Sequence, residues 1–200
     1  MNRIVHGVVL GLSAVLGLSV GRSLKAQTTR PDAFSSLTID VGATRFWTDS
    51  RLSRYYSPQT GFLVEASTPF ELGEFALTGE RATFTSVGGV NPDFHGTLAL
   101  LAWRYPVPLF GGASARLGAH AGVMQFSFQD TLINAGLRKE RELVMGVSGS
   151  LQAHVVSRLS AFIMGEYSHV WLHVPVHLAR ISAGVGYTTP TPGWLRDFLK

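Results

Sequence analysis

Residues 114–126 read SARLGAHAGVMQF, and this stretch decides the fold. Its odd positions are Ala115, Leu117, Ala119, Ala121 and Val123, and its even positions are Arg116, Gly118, His120, Gly122 and Met124. Strict alternation marks a β-strand with two unlike faces, because successive side chains leave a pleated backbone on opposite sides. The pattern recurs along the chain. In 37–46 Leu37, Ile39, Val41 and Ala43 oppose Thr38, Asp40, Gly42 and Thr44. In 143–155 Leu143, Met145, Val147 and Leu151 oppose Gly146, Ser148, Ser150, Gln152 and His154. In 178–188 Ala179, Ile181, Ala183 and Val185 oppose Arg180, Ser182, Gly184 and Gly186. Segments 60–69, 75–85, 97–105 and 160–170 complete eight expected strands. Within 75–85 Glu80 and Arg81 would point oppositely, which suggests a bulge near Gly79.

The polar face consists of Gly and Ser with single Arg, Glu or His residues, unlike the Lys/Glu-rich face of a soluble barrel. Small residues that leave room for a few long charged ones suit a narrow lumen, so the apolar face turns outward into lipid. An open sheet edge cannot be tolerated in hydrocarbon, and the sheet must close. The expected fold is all-β: a closed eight-stranded antiparallel transmembrane β-barrel over 37–189, with a cleavable N-terminal signal peptide. By phase the inward charges are Asp40, Glu65, Glu80 and Glu166 against Arg104, Arg116 and Arg180, with His120 and His154. Charges held away from bulk water must pair, so these residues form an expected lumenal network that plugs the barrel. Aromatics gather near strand ends as two interfacial girdles. Trp47, Phe126, Phe128, Tyr167 and Trp171 belong to one rim, and Phe70, Phe75, Trp103, Tyr105 and Tyr187 to the other.

Outside the barrel, residues 4–20 (IVHGVVLGLSAVLGLSV) follow Arg3 and precede small residues at a cut after Ala26. A positive start, an apolar stretch and a small residue at the cut describe a secretory signal, assigned to 1–26. Residues 27–36 form a lead and 190–200 a short amphipathic tail at the membrane surface. Without the signal, fourteen basic and thirteen acidic residues remain, which leaves no footprint for nucleic acid. The chain has 15% charged residues, below the ~25% of ordinary soluble domains, and no cysteine. That excludes a disulfide framework, a thiolate metal centre and a cysteine nucleophile.

Site chemistry is sparse. His169, His173 and His177 are spaced by four, but in an extended chain that separation is ~13 Å, too far to share a metal ion. Glu166, Ser168 and His169 tempt an acyl-transfer reading, yet period two sends His169 to the opposite face from the other two. No catalytic, metal or cofactor site is expected. In 129–142, Arg138, Lys139 and Arg141 beside Glu140 and Glu142 offer a contact for lipopolysaccharide phosphates or a host surface.

The eight-strand pattern resembles the small eight-stranded outer-membrane β-barrel superfamily, typified by the membrane domain of outer membrane protein A. In such families the last strand carries an assembly signal: polar, any, Gly, two of any, aromatic, any, aromatic. Ser182, Gly184 and Tyr187 match its first three fixed positions, and Thr189 stands where the final aromatic would fall. The resemblance implies a monomer in the outer membrane with both mature termini periplasmic, long loops outside and short turns inside. It also implies contact with outer-membrane lipid and lipopolysaccharide, and with the barrel assembly machinery during biogenesis. The expected role is non-enzymatic, structural or surface-interacting, with a small channel or transport barrel, adhesion or lipopolysaccharide contact through the loops, and last a lipid A-modifying enzyme as alternatives.

Overall fold

A computed structural model describes residues 32–199 apart from 50, 90, 129–138 and 174. The proposed signal peptide and most of loop 129–142 lie outside the described residues. The alternating segments become strands β1 (Ser36–Thr48), β2 (Tyr56–Pro58), β3 (Gly61–Phe70), β4 (Gly73–Ser86) and β5 (Phe94–Pro108). They continue as β6 (Ala113–Phe128), β7 (Lys139–Val156), β8 (Leu159–Val170) and β9 (Val176–Pro190), followed by helix α1 (Gly193–Leu199). Both β2 and β3 pair with β4, so they are two pieces of one stave interrupted at Gln59 and Thr60. Every pairing is antiparallel, and β1 closes on β9 while β4 joins β5, which makes a barrel of eight staves.

The register gives the barrel its dimensions. Following partners from Thr38 through Ser67, Ala76, Ala102, His120, Gly146, Ser168 and Leu178 returns to β1 at Thr48, ten residues farther along. With eight strands, that stagger tilts them by roughly 40° from the axis and leaves an interior that side chains can fill. One end carries short turns at 71–72, 109–112 and 157–158 together with both ends of the described chain. Gly111 and Gly112 both have positive φ in one of these turns, a conformation that glycine adopts without steric cost. At the other end β1, β4, β6 and β8 finish and β2, β5, β7 and β9 begin.

Outward positions are apolar and exposed: Leu77 is 61%, Val147 60% and Ile163 51% accessible. Leu37, Ile39 and Val41 continue this belt on β1. In water such a continuous apolar surface would be a severe liability, whereas in lipid it is the ordinary exterior of a barrel. The interior has two zones. Toward the loop end Phe46, Phe84, Phe94, Leu98, Met124 and Phe126 form an apolar cluster, onto which Leu52, Tyr56, Phe128 and Leu172 pack. Phe84 and Phe94 stack with centroids 4.6 Å apart. The middle and the turn end are polar.

Two expectations are corrected. Phe126 and Phe128 do not join the outer girdle, because they share the phase of His120 and Met124 and pack inside. No bulge occurs at Gly79, since the registers with β3 and β5 run unbroken through it, leaving Arg81 outward. The one irregularity in β7 lies between His154 and Val156. The other girdle aromatics face outward, including Trp47, Trp103, Tyr105, Tyr167, Trp171 and Tyr187, each more than 40% exposed. Phe70 and Phe75 pack near the turn end with ring centroids 4.8 Å apart and planes tilted by 38°.

Ala119 is an exposed outward residue near mid-barrel. Ala119→Arg is expected to destabilise the barrel by roughly 2–4 kcal/mol in unfolding from lipid vesicles, with Ala119→Leu near neutral. Equal effects of the two would contradict the outward assignment.

Candidate functional site in the barrel lumen

Three arginines on three strands organise the polar interior. In the middle, Arg104 on β5 forms a two-pronged pair with Glu65 on β3: Nη1 donates to Oε1, and Nη2 to Oε2 at 2.7 Å. Thr78 Oγ1 donates to the same Oε2 at 2.7 Å, and Arg104 Nε donates to Ser148 Oγ at 3.3 Å. Two parallel charge-assisted bonds suit the planar guanidinium and fix its orientation as well as its charge.

Nearer the loop end, Arg180 on β9 reaches Glu80 on β4 at 2.6 Å and Glu166 on β8 at 3.1 Å. Its guanidinium carbon lies 6.0 Å from the Phe46 ring centroid, which joins this layer to the apolar cluster. His120 Nδ1 stands 3.5 Å from Glu166 Oε1, and Nε2 lies 2.8 Å from Ser168 Oγ. Nearer the turn end, Arg116 on β6 lies 3.2 Å from Glu74 and 3.9 Å from Asp40. Arg116 also donates to Gln152, whose amide donates to Ser160 Oγ at 2.6 Å. A cavity of about 10 Å³ between the lower layers, lined by Asp40, Glu65, Arg104, Arg116 and Ser150 among others, has room for about one water molecule.

Glycine makes two of these contacts possible. His120 and Ser168 stand on either side of Gly146 in the register, and a Cβ on Gly146 would come within 2.6 Å of His120 Nε2. A Cβ on Gly186 would fall against Asp40 Oδ1.

No family model matches the sequence, and no curated protein matches it. Among solved structures, the chain is similar to neisserial surface protein A, at 15% identity and a TM-score of 0.60. That match covers 76% of this chain and 96% of the other. OprG from Pseudomonas aeruginosa matches at 10% identity and a TM-score of 0.50, over 80% of this chain and 99% of the other. The fold is that of the small eight-stranded outer-membrane β-barrels.

Of the residues expected in the lumen of this barrel, Asp40, Glu65, Glu80, Arg104, Arg116, His120, Glu166 and Arg180 are buried. His154 is corrected: it is exposed at the turn end, where the β7–β8 register shifts, and it takes no part in the ion pairs. Glu74 joins the network although its sequence reads as part of a turn; β4 begins at Gly73 and carries it inside. In the assembly motif, Ser182 Oγ donates to Thr44 Oγ1 at 3.0 Å, Gly184 faces Gly42 across the β1–β9 seam, and Tyr187 faces outward.

Ser168 and His120 make the Ser–His contact of an acyl-transfer site, with His120 in the place that His169 cannot fill, but Glu166 stands 3.5 Å from His120 Nδ1 without a hydrogen bond to it. Ser168, however, is wholly buried in the loop-side half of the barrel, and its Oγ also accepts from Arg180 Nη2 at 3.3 Å. A nucleophile needs space for a reacting carbonyl about 3 Å away, and here the neighbouring volume is filled by ion pairs. The outward histidines behave differently: the β8–β9 hairpin brings His169 and His177 to 4.8 Å between centroids, beside Tyr167 and Trp171, and leaves His173 exposed in the link.

Breaking the central pair by Arg104→Ala strands Glu65 without a cation and is expected to lower stability by about 3–5 kcal/mol. Glu65→Leu combined with Arg104→Met is expected to recover most of that loss, because it removes both buried charges. Denaturant unfolding in vesicles measures both, and a double variant as unstable as the single one would contradict the pairing.

Proposed function

We propose that this protein is an integral, non-enzymatic barrel of the outer membrane, with a sealed lumen, whose working surfaces are its lipid-facing exterior and its loops. The observation that carries this reading is how the interior is filled. Apolar rings occupy the loop end, and cross-barrel ion pairs occupy the middle, with Arg104 and Arg180 each 1% exposed. A permeant ion would have to displace aromatic side chains and then separate buried charges, both costly steps. On this reading both mature termini are periplasmic, since they share the end with short turns. The protein acts as a monomer, and its partners are outer-membrane lipid and, during insertion, the barrel assembly machinery. The loops favour a structural or surface-interaction role. Asp49 Oδ1 accepts from Arg51 N and Leu52 N at 3.0 and 3.2 Å, folding this link so that Leu52 packs onto the apolar cluster, while Arg51, Arg54 and Tyr55 remain exposed.

Fractionated cells should hold the protein in the outer membrane, migrating differently on gels with and without heating, and recovery from the soluble periplasm would overturn the reading. Purified protein in planar bilayers should give a flat current trace. Discrete conductance steps from the unaltered chain would replace the sealed barrel with a channel.

A further inference from the structure

Charge is sorted between the two faces of the barrel. From the described strands, Asp40, Glu65, Glu74, Glu80 and Glu166 all turn inward, and Glu140 and Glu142 share the inward phase of Val144. The charged side chains that face outward from strands are all basic: Arg45, Arg81, Lys139 and Arg141. Arg141 leans on Gln125 at 3.1 Å. Arg45 and Arg81 make neither an ion pair nor a side-chain hydrogen bond with any other described residue.

These two arginines form a pair across β3. Partners Ala43, Phe62 and Arg81 lie on one line of the register, and Arg45 stands two residues beyond Ala43 toward the loop end. The pairing line climbs ten residues over eight staves, hence about two and a half between β1 and β4, which brings Arg45 and Arg81 to nearly equal depth. Strand spacing puts their Cα atoms roughly 12 Å apart, with Phe62, 56% exposed, between them. Below Arg81, a Cβ on Gly79 would meet nothing nearer than the Val64 carbonyl oxygen at 3.9 Å. With its partner Ala99 it leaves a furrow bordered by Leu77 and Leu101, which are 61% and 57% exposed. Two unneutralised guanidiniums above an apolar furrow are complementary to one kind of molecule, an anionic head on an acyl chain.

We propose that Arg45 and Arg81 bind the phosphate of a lipid head group in the loop-side leaflet, with an acyl chain lying along Phe62 and the furrow at Gly79. The guanidinium fork matches phosphate oxygens in pairs, and the low dielectric at the edge of the hydrocarbon strengthens each bond. The leaflet rests on the orientation proposed above; the binding itself does not.

Native mass spectrometry of the full chain in detergent tests the site with four probes: lipid A carrying its phosphates, dephosphorylated lipid A, phosphatidylglycerol and inorganic phosphate. The unaltered protein should retain at least one phosphate-bearing lipid about tenfold or more above dephosphorylated lipid A. Preference between the two phosphate lipids identifies the head group. R45Q combined with R81Q should abolish that excess, R45K with R81K should keep part of it, and R141Q should keep it all. A heat-shift gel confirms that each variant is folded. Equal retention of dephosphorylated lipid A, unchanged binding by the double glutamine variant, or inorganic phosphate held as strongly as the lipids would overturn the proposal. Labelling of Ser53→Cys on intact cells reads the orientation separately, so failure of that reading is distinguishable from failure of the site.

Discussion

The structure depends on one constraint: in hydrocarbon every backbone N–H and C=O must find a partner within the protein. An unpaired peptide group there costs several kcal/mol, so a sheet that crosses lipid closes or does not form. Closure is made by the first and last strands, β1 and β9, paired from Ser36 with Pro190 to Thr48 with Leu178. Their approach at mid-barrel is close enough that a Cβ on Gly184 would come within 2.6 Å of the Cα of Gly42. Ser182 and Thr44 share a hydrogen bond beside it. Residues that fit an assembly motif therefore also have a direct steric and hydrogen-bonding reason to be where they are.

Closing eight strands with a stagger of ten makes the interior narrow, and the narrowness dictates the chemistry inside. A guanidinium extends far enough to meet carboxylates beyond its neighbouring strand. Arg104 spans β4 to reach Glu65, Arg116 spans β5 to reach Glu74, and Arg180 crosses to Glu80 three staves away. Such pairs offset the large penalty of burying charge only where both partners are present and well oriented, so each one ties particular strands at a particular register. Toward the loop end the same width is filled by phenylalanine rings, which need no partner and exclude water by packing.

The fold was legible because the two-residue period of a strand is unambiguous, and four long segments keep it over nine or more residues. Phase also separated the inward charges from the outward aliphatics. Reading was weaker wherever a second cue competed with phase. Phe126 sits at a strand end, as a girdle aromatic should, but it is an even residue of a strand whose even residues face inward. Inward Leu98 and Leu100 alternate with outward Ala99 and Leu101 in the longest apolar run, a sign that both faces are apolar there and that the lumen is not polar throughout. Glu74 was hidden because a turn and the first residues of a strand look alike in sequence. The neighbour relation of His120 and Ser168 is set by strand order across Gly146, information that no local pattern contains.

Sorting acids inward and bases outward has a simple origin in side-chain length. A lipid-facing arginine can bend its long stem and place its charge in the head-group layer, whereas a carboxylate on a short stem remains at the depth of its Cα. That argument accounts for the sign of the outward charges. It does not account for their arrangement, since an arginine that merely reaches for water can stand anywhere near the rim. Arg45 and Arg81 instead stand at one depth on either side of an exposed phenylalanine, above the one break in the side-chain relief of β4 where Gly79 faces lipid. Depth, spacing and furrow come from four strands, β1, β3, β4 and β5, and a lipid molecule with a charged head uses all of them together.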